Sequence, residues 1–176
     1  MRNRPPPSDR GFTLVEMMIV LGVIGILASV AIPNYQKLTA RGYRSEMVSA
    51  VGKFKFFFKN AHDGAGTFET SDVAAGSASD VNPDPTLAVL GQAAKWDSKR
   101  KGWVDMPFGL EGGIRMRYAY KIIDKDNIEF DSCGSFPAFG PSALPCPNMG
   151  SLKGNYWYSE IFHADGNSDV TESPEF

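Results

Sequence analysis

From Phe12 to Ile32 runs a stretch of 21 residues, apolar or small except for Thr13, Glu16 and Ser29, and nothing else in the chain limits its architecture so strongly. About 20 such residues are what an α-helix needs to cross the hydrocarbon of a bilayer. A helix that is apolar all round has to be covered by lipid or by other protein. Glu16 resists both surroundings. A carboxylate costs roughly 2.5–3.5 kcal/mol at the bilayer centre on insertion scales, so a chemical role for it is expected. Gly22, Gly25, Ala28 and Ala31 place small residues at three-residue intervals, a spacing that lets helices approach closely in membranes. Pro33 follows the run. Proline removes one helical hydrogen bond and clashes with the preceding turn, which predicts a kink or local melting there.

Beyond Pro33 the pattern becomes amphipathic. Tyr43, Met47, Ala50, Phe54 and Phe57 recur at steps of three and four, with Arg44, Ser45, Lys55 and Lys59 largely opposite. This is the signature of a helix packing on a domain. A single helix from Phe12 to about Asn60 would form a rod of roughly 73 Å. The cluster Phe54, Phe56, Phe57 and Phe58 is predicted to be core against a sheet. The expected divisions are 1–11, a polar Pro-rich leader; 12–32, the apolar helix; 33–60, the amphipathic helix; and 61–176, a globular head.

With 12 Phe, 6 Tyr and 3 Trp in 176 residues, the head has ample material for a core. The net charge is −2; Arg2, Arg4 and Arg10 against Asp9 give +2 to the first eleven residues, leaving −4 for the rest. That balance is unlike a nucleic-acid-binding domain. Lys95, Lys99, Arg100 and Lys101 beside Trp96 and Trp103 form the one basic, aromatic patch. Asp97 and Asp105 interrupt it, so a solvated loop with its tryptophans folded inward is the expectation, and nucleic acid is not an expected partner.

Residues 61–85 are rich in Gly, Ala, Ser, Asp and Pro and read as a long loop; Thr86 to Ala94 suits a short helix. Strand-like runs occupy Ile114 to Ile123, Asn127 to Phe130 and Tyr156 to His163, with a short first strand in Trp103 to Phe108 confined to an edge by Pro107. The fold class is therefore α+β: a long N-terminal helix on an antiparallel sheet of about four strands.

Cys133 and Cys146 bracket a proline-rich segment. A disulfide closing this loop of about 14 residues contributes on the order of 3 kcal/mol in the chain-entropy model. The rival, a metal site using His62 and His163, lacks any zinc-type spacing. In the tail, Asp165, Asn167 and Asp169 alternate like the start of a calcium loop, but Gly is absent from the sixth position and Phe176 occupies the twelfth. A hairpin turn is the expected reading, with calcium the weaker alternative. No catalytic constellation stands out and no cofactor is expected.

Gly11-Phe12-Thr13-Leu14-Val15-Glu16, followed by an apolar helix and Pro33, resembles the N-terminus of type IV pilins and the related pseudopilins. The resemblance implies cleavage between Gly11 and Phe12 by a prepilin peptidase, N-methylation of Phe12, and pairing of Glu16 with the Phe12 amine of a neighbouring subunit. An alternative for Glu16 is its own helix N-terminus, where the dipole favours negative charge. An ordinary secretory signal, with Met17 to Leu27 as its apolar region and Ser29-Val30-Ala31 as its end, fits poorly because of Glu16. Orientation is not set by charge, since Lys37, Arg41 and Arg44 balance the arginines before the span; the resemblance places the leader in the cytoplasm and the head outside the inner membrane. It further implies a structural subunit of a type IV pilus, partnered by other pilins and an inner-membrane assembly platform, in adhesion, motility or DNA uptake. Two alternatives are a type II secretion pseudopilin and, outside the class, a membrane-anchored periplasmic binding protein or enzyme.

Overall fold

The structure is a computed structural model and describes residues 11–85, 92–136 and 144–173. The first element, α1 (Leu14–Ala65), is one helix of 52 residues, about 78 Å long at 1.5 Å per residue. Thr13 caps its start, and Gly66 ends it in the left-handed region at φ 76°, its N–H donating to the His62 carbonyl at 2.7 Å. The helix thus passes the expected end at Asn60 by more than a turn. The stop is set by a residue that can adopt positive φ without cost, not by loss of the apolar pattern.

Only the second half of α1 is covered by the head. Ala40, Met47, Ala50, Val51, Phe54 and Phe58 are its buried residues, and Tyr43 and Phe57 pack partly against the same core. Phe56 is 70% exposed, which corrects its assignment to the core. At 100° per residue it lies far round the helix from both Phe54 and Phe58.

The sheet is antiparallel in the order β1-β2-β5-β6, from β1 (Arg117–Asp124), β2 (Asn127–Gly134), β5 (Tyr156–His163) and β6 (Ser168–Ser173). Between β2 and β5, β3 (Leu144–Pro145) and β4 (Lys153–Gly154) form a separate short pair. Tyr118, Tyr120, Ile122, Ile128, Phe130, Tyr158 and Phe162 join the α1 residues in one core. Phe54 is its hub, with ring centroids 5.2 Å from Trp103, 5.6 Å from Tyr118 and 5.8 Å from Trp96.

Several expectations change. Residues 103–108 form turns instead of a first strand, because Trp103 is fully buried and its Nε1 donates to the Asp80 carbonyl at 2.7 Å. The fourth strand is instead the polar tail segment β6. The loop 61–85 contains no regular strand, yet its later part seals the β1 edge, with Gly76, Ser79 and Asn82 donating to Ile122, Tyr120 and Tyr118 carbonyls at 2.7–2.8 Å. Gly102 is needed where this loop closes: its φ is 88°, and a Cβ there would lie 2.5 Å from Ser79 Cβ. Most of the segment expected to be a helix from Thr86 to Ala94 lies outside the described residues; Ala94 itself forms a bridge to Ile114. In the basic patch, both tryptophans turn into the core, while Arg100 pairs with Asp84.

Candidate functional site

At the start of α1, Thr13 is in the extended region and its hydroxyl accepts from the Glu16 backbone N–H at 3.2 Å. In return, Glu16 Oε2 accepts from the Thr13 backbone N–H and from its hydroxyl, both at 2.8 Å. This reciprocal capping box satisfies donors that a helix otherwise leaves free. Glu16 therefore sits at the positive end of its own helix, the alternative to pairing with a neighbour's Phe12 amine. Gly11 and Phe12 precede the helix, outside regular structure and fully open to the surroundings.

Every large apolar side chain from Phe12 to Ile32 is exposed. Among the described residues nothing from the head reaches them, and α1 is long and apolar enough here to cross a membrane. The helix continues through Pro33. With no N–H on Pro33, the Ser29 carbonyl loses its usual partner one turn on, while the Ser29 hydroxyl donates to the Ile26 carbonyl at 2.7 Å.

Two ion pairs fasten the lower half of α1 to the sheet. Arg44 grips Glu172 of β6 with Nε at 3.2 Å and Nη2 at 3.0 Å, and the Tyr156 hydroxyl also donates to Glu172. Lys55 Nζ lies 2.6 Å from Glu160 of β5, whose other oxygen accepts from the Tyr158 hydroxyl at 2.7 Å. Burial acts to raise the Glu160 pKa, but the bonds from Lys55 and Tyr158 outweigh it and hold the carboxyl below its usual value. Neither pair was foreseen, because the partners are 128 and 105 residues apart; an unexplained Glu in an aromatic strand was the only available signal.

Cys133 and Cys146 form the expected disulfide, with Cα atoms 5.7 Å apart. It clusters with Ala119, Met149, Leu152 and Trp157 on the sheet face away from α1. On the other side, Phe136 stacks on Tyr43 of α1 at 5.2 Å and exchanges two hydrogen bonds with the Asn155 side chain, each 2.7 Å. Nearby, burial pushes the Asp131 carboxyl up to about 7, opposed by its bond from Asn148 and reinforced by Glu129.

The two histidines do not converge: His62 meets Asp126 at 3.1 Å, and His163 lies between Asn127 and Asp169. The tail residues form the expected hairpin turn between β5 and β6. Asp165 accepts from the backbone and side-chain nitrogens of Asn167, both at 2.9 Å, while Asp169 faces His163 at 3.2 Å. Among the described residues, no group of three or more His, Cys, Asp or Glu side chains is placed to hold a metal.

The family model of the prokaryotic N-terminal methylation motif matches residues 7–32. The fimbrial protein EcpC of Eikenella corrodens is 39% identical over 86 residues, 49% of this chain and 56% of that protein. The type IV major pilin PilA of Myxococcus xanthus is 60% identical over 40 residues, 23% of this chain and 18% of that protein. The type IV major fimbrial protein FimA of Dichelobacter nodosus is 49% identical over 47 residues, 27% of this chain and 30% of that protein. The chain thus spans between 18% and 56% of the length of these curated relatives. No solved structure matches it. With the methylation motif at the head of a long apolar helix and a four-stranded antiparallel sheet packed on the second half of that helix, the chain is similar to type IV pilins and fimbrial proteins over its N-terminal part.

Proposed function

We propose that this chain is the precursor of a structural subunit of a type IV pilus. In this reading residues 1–11 are a leader removed by a prepilin peptidase between Gly11 and Phe12, and the new Phe12 amine is then methylated. Residues 12–32 hold the precursor in the inner membrane, with the head, 61–176, on the periplasmic side and 33–60 as its spine. An assembly platform then delivers the subunit into a filament whose core is made of the same apolar helices.

The observation that carries this reading is the uncovered apolar half of α1. Burying each of its large side chains is worth about 1.5–3 kcal/mol, so lateral packing of copies along that half supplies a large driving force. Glu16 decides the register. In the precursor its carboxylate is held by Thr13; after cleavage, the Phe12 amine of a neighbour offers a full positive charge, which outcompetes neutral donors in an apolar core. Cleavage thereby licenses assembly. Pro33 marks where the helix gives way most easily as subunits pack.

The test is Glu16→Ala in cells, comparing membrane fractions with sheared surface filaments. We expect normal insertion and a loss of the mature chain from filaments; unchanged incorporation refutes the role given to Glu16. Abundance in the same sheared fraction separates a major from a minor pilin, and recovery only at a secretion apparatus would assign it to a pseudopilus.

A further inference from the structure

Between Glu16 and Glu46 the chain contains no acidic residue, yet it carries Lys37, Arg41 and Arg44. Spaced by four and three residues, these cations share one flank of α1. Arg44 is taken by Glu172 of β6. Lys37 and Arg41 are exposed, and neither has an ion-pair or hydrogen-bond partner among the described residues. Both lie just past the apolar run: at 1.5 Å per residue, Lys37 is about 8 Å and Arg41 about 14 Å beyond Ile32. Tyr35 and Leu38 beside them are exposed too. The head begins at this level, where Ser135 and Phe136 line a groove with Tyr35, Gln36 and Thr39, and it leaves Lys37, Leu38 and Arg41 open. Positive charge past a span offsets the leader's arginines as a topology signal, so its presence here calls for a partner outside the chain.

We propose that Lys37 and Arg41 form a binding site for the phosphates of anionic lipids in the leaflet on the head's side, with Tyr35 and Leu38 seated among the headgroups. The inference rests on the reading of residues 12–32 as a membrane span. A headgroup layer extends about 5–7 Å beyond the hydrocarbon. Helix side chains lean toward the helix N-terminus, which here is toward the membrane, and the long stems of Lys and Arg carry their charged ends to the interface. Lys37 therefore ends in the phosphate layer, and Arg41 reaches it from one turn above. The Arg fork matches two phosphate oxygens, and Lys adds a point charge. Tyr35 suits the same depth, with an apolar ring and a wet hydroxyl. Lys53 is the other α1 cation without an ion-pair partner among the described residues; at about 32 Å beyond Ile32 it is out of reach of any headgroup. The site fixes how deep the stored subunit sits, and with it the level of Phe12 and Glu16 in the opposite leaflet.

The test reconstitutes the full chain in phosphatidylcholine vesicles holding a trace of spin-labelled phosphatidylglycerol or spin-labelled phosphatidylcholine, and compares the motionally restricted fraction of each label. We expect a preference for phosphatidylglycerol that falls by at least about fivefold when Lys37→Gln is combined with Arg41→Gln. Salt should weaken it, and Lys53→Gln, which lowers the positive charge without touching the site, should leave it unchanged. The leader's arginines act on the opposite leaflet equally in every variant, so the difference between variants is what is read. Both substituted positions are exposed, and near-ultraviolet dichroism checks that the head is unaltered. A chain that inserts without any preference for phosphatidylglycerol overturns the lipid site alone, as does an equal loss in Lys53→Gln. If the double variant keeps its lipid preference but no longer enters filaments, the two cations serve a second copy of the chain, and the proposal falls. A chain that does not enter the vesicles overturns the membrane reading along with it.

Discussion

Replacing Lys55 by Met should destabilise the head far more at neutral pH than in acid. Lys55 comes from α1 and Glu160 from β5; their side chains are 28% and 4% exposed, and the ions are 2.6 Å apart. Removing one partner of a fully buried pair costs about 3–5 kcal/mol because it strands the other charge. Two features reduce that here. The Tyr158 hydroxyl still donates to Glu160, and the Lys55 ammonium is partly wet, so about 2–3 kcal/mol is the expected cost at pH 7. Met also keeps the apolar stem that lies against Phe162, whose ring centroid is 5.2 Å from Nζ.

The pH dependence makes the prediction specific. In the wild type Glu160 is held below its ordinary value of 4.5. Its contribution is present above the unfolded pKa and is lost as pH falls through the folded one. Without Lys55, burial dominates and moves the Glu160 pKa upward, so the variant binds a proton more readily when folded. The difference between the two proteins should shrink steadily from pH 7 to pH 3. Denaturant unfolding of the full chain in micelles, read by near-ultraviolet dichroism, measures it. Lys55→Met with Glu160→Gln should recover most of the loss, since no charge is then stranded. A cost under about 0.5 kcal/mol at pH 7, or one that does not change with pH, refutes the argument.

Other consequences are simpler to state. Replacing Cys133 and Cys146 by Ser should lower stability by about 3 kcal/mol, and a reductant should then have no further effect on the unfolding midpoint. Arg44→Gln removes a half-exposed clamp, so a global loss of only about 1 kcal/mol is expected; amide exchange in β6 should accelerate much more than in β1. Gly102→Ala forces a Cβ against Ser79 at positive φ and should cost about 1–3 kcal/mol, measured by thermal unfolding; a neutral substitution would show that the loop relaxes freely. A Gly11 substitution that blocks processing should leave a membrane-bound chain heavier by the leader, seen by mass spectrometry, and no filaments.

Much of the head was readable from local pattern. β5 coincides with the run Tyr156 to His163 because its residues alternate between two faces, and α1 follows its three-and-four spacing from Met47 to Phe58. Pattern failed where another part of the chain supplies the reason for a structure. β6 is Ser-Asp-Val-Thr-Glu-Ser, with no apolar alternation; it is a strand because β5 offers it a hydrogen-bonding edge and Arg44 holds Glu172. Residues 103–108 resemble a strand, but Trp103 is drawn into the pocket around Phe54, and its backbone turns to get there.

The division follows from the range of the forces involved. An apolar run about as long as a bilayer is thick and the three-and-four spacing of aromatic residues act within a few turns of helix or one strand, so the sequence alone determined that this chain has a long spine with an apolar half and an amphipathic half. The pairing of Lys55 with Glu160, of Arg44 with Glu172, and of Glu129 and Asp131 with Asn148 depends on segments 17 to 128 residues apart. Charges attract regardless of sequence order, and only the assembled sheet, with the helix on one face and Asn148 on the other, decides which of them meet.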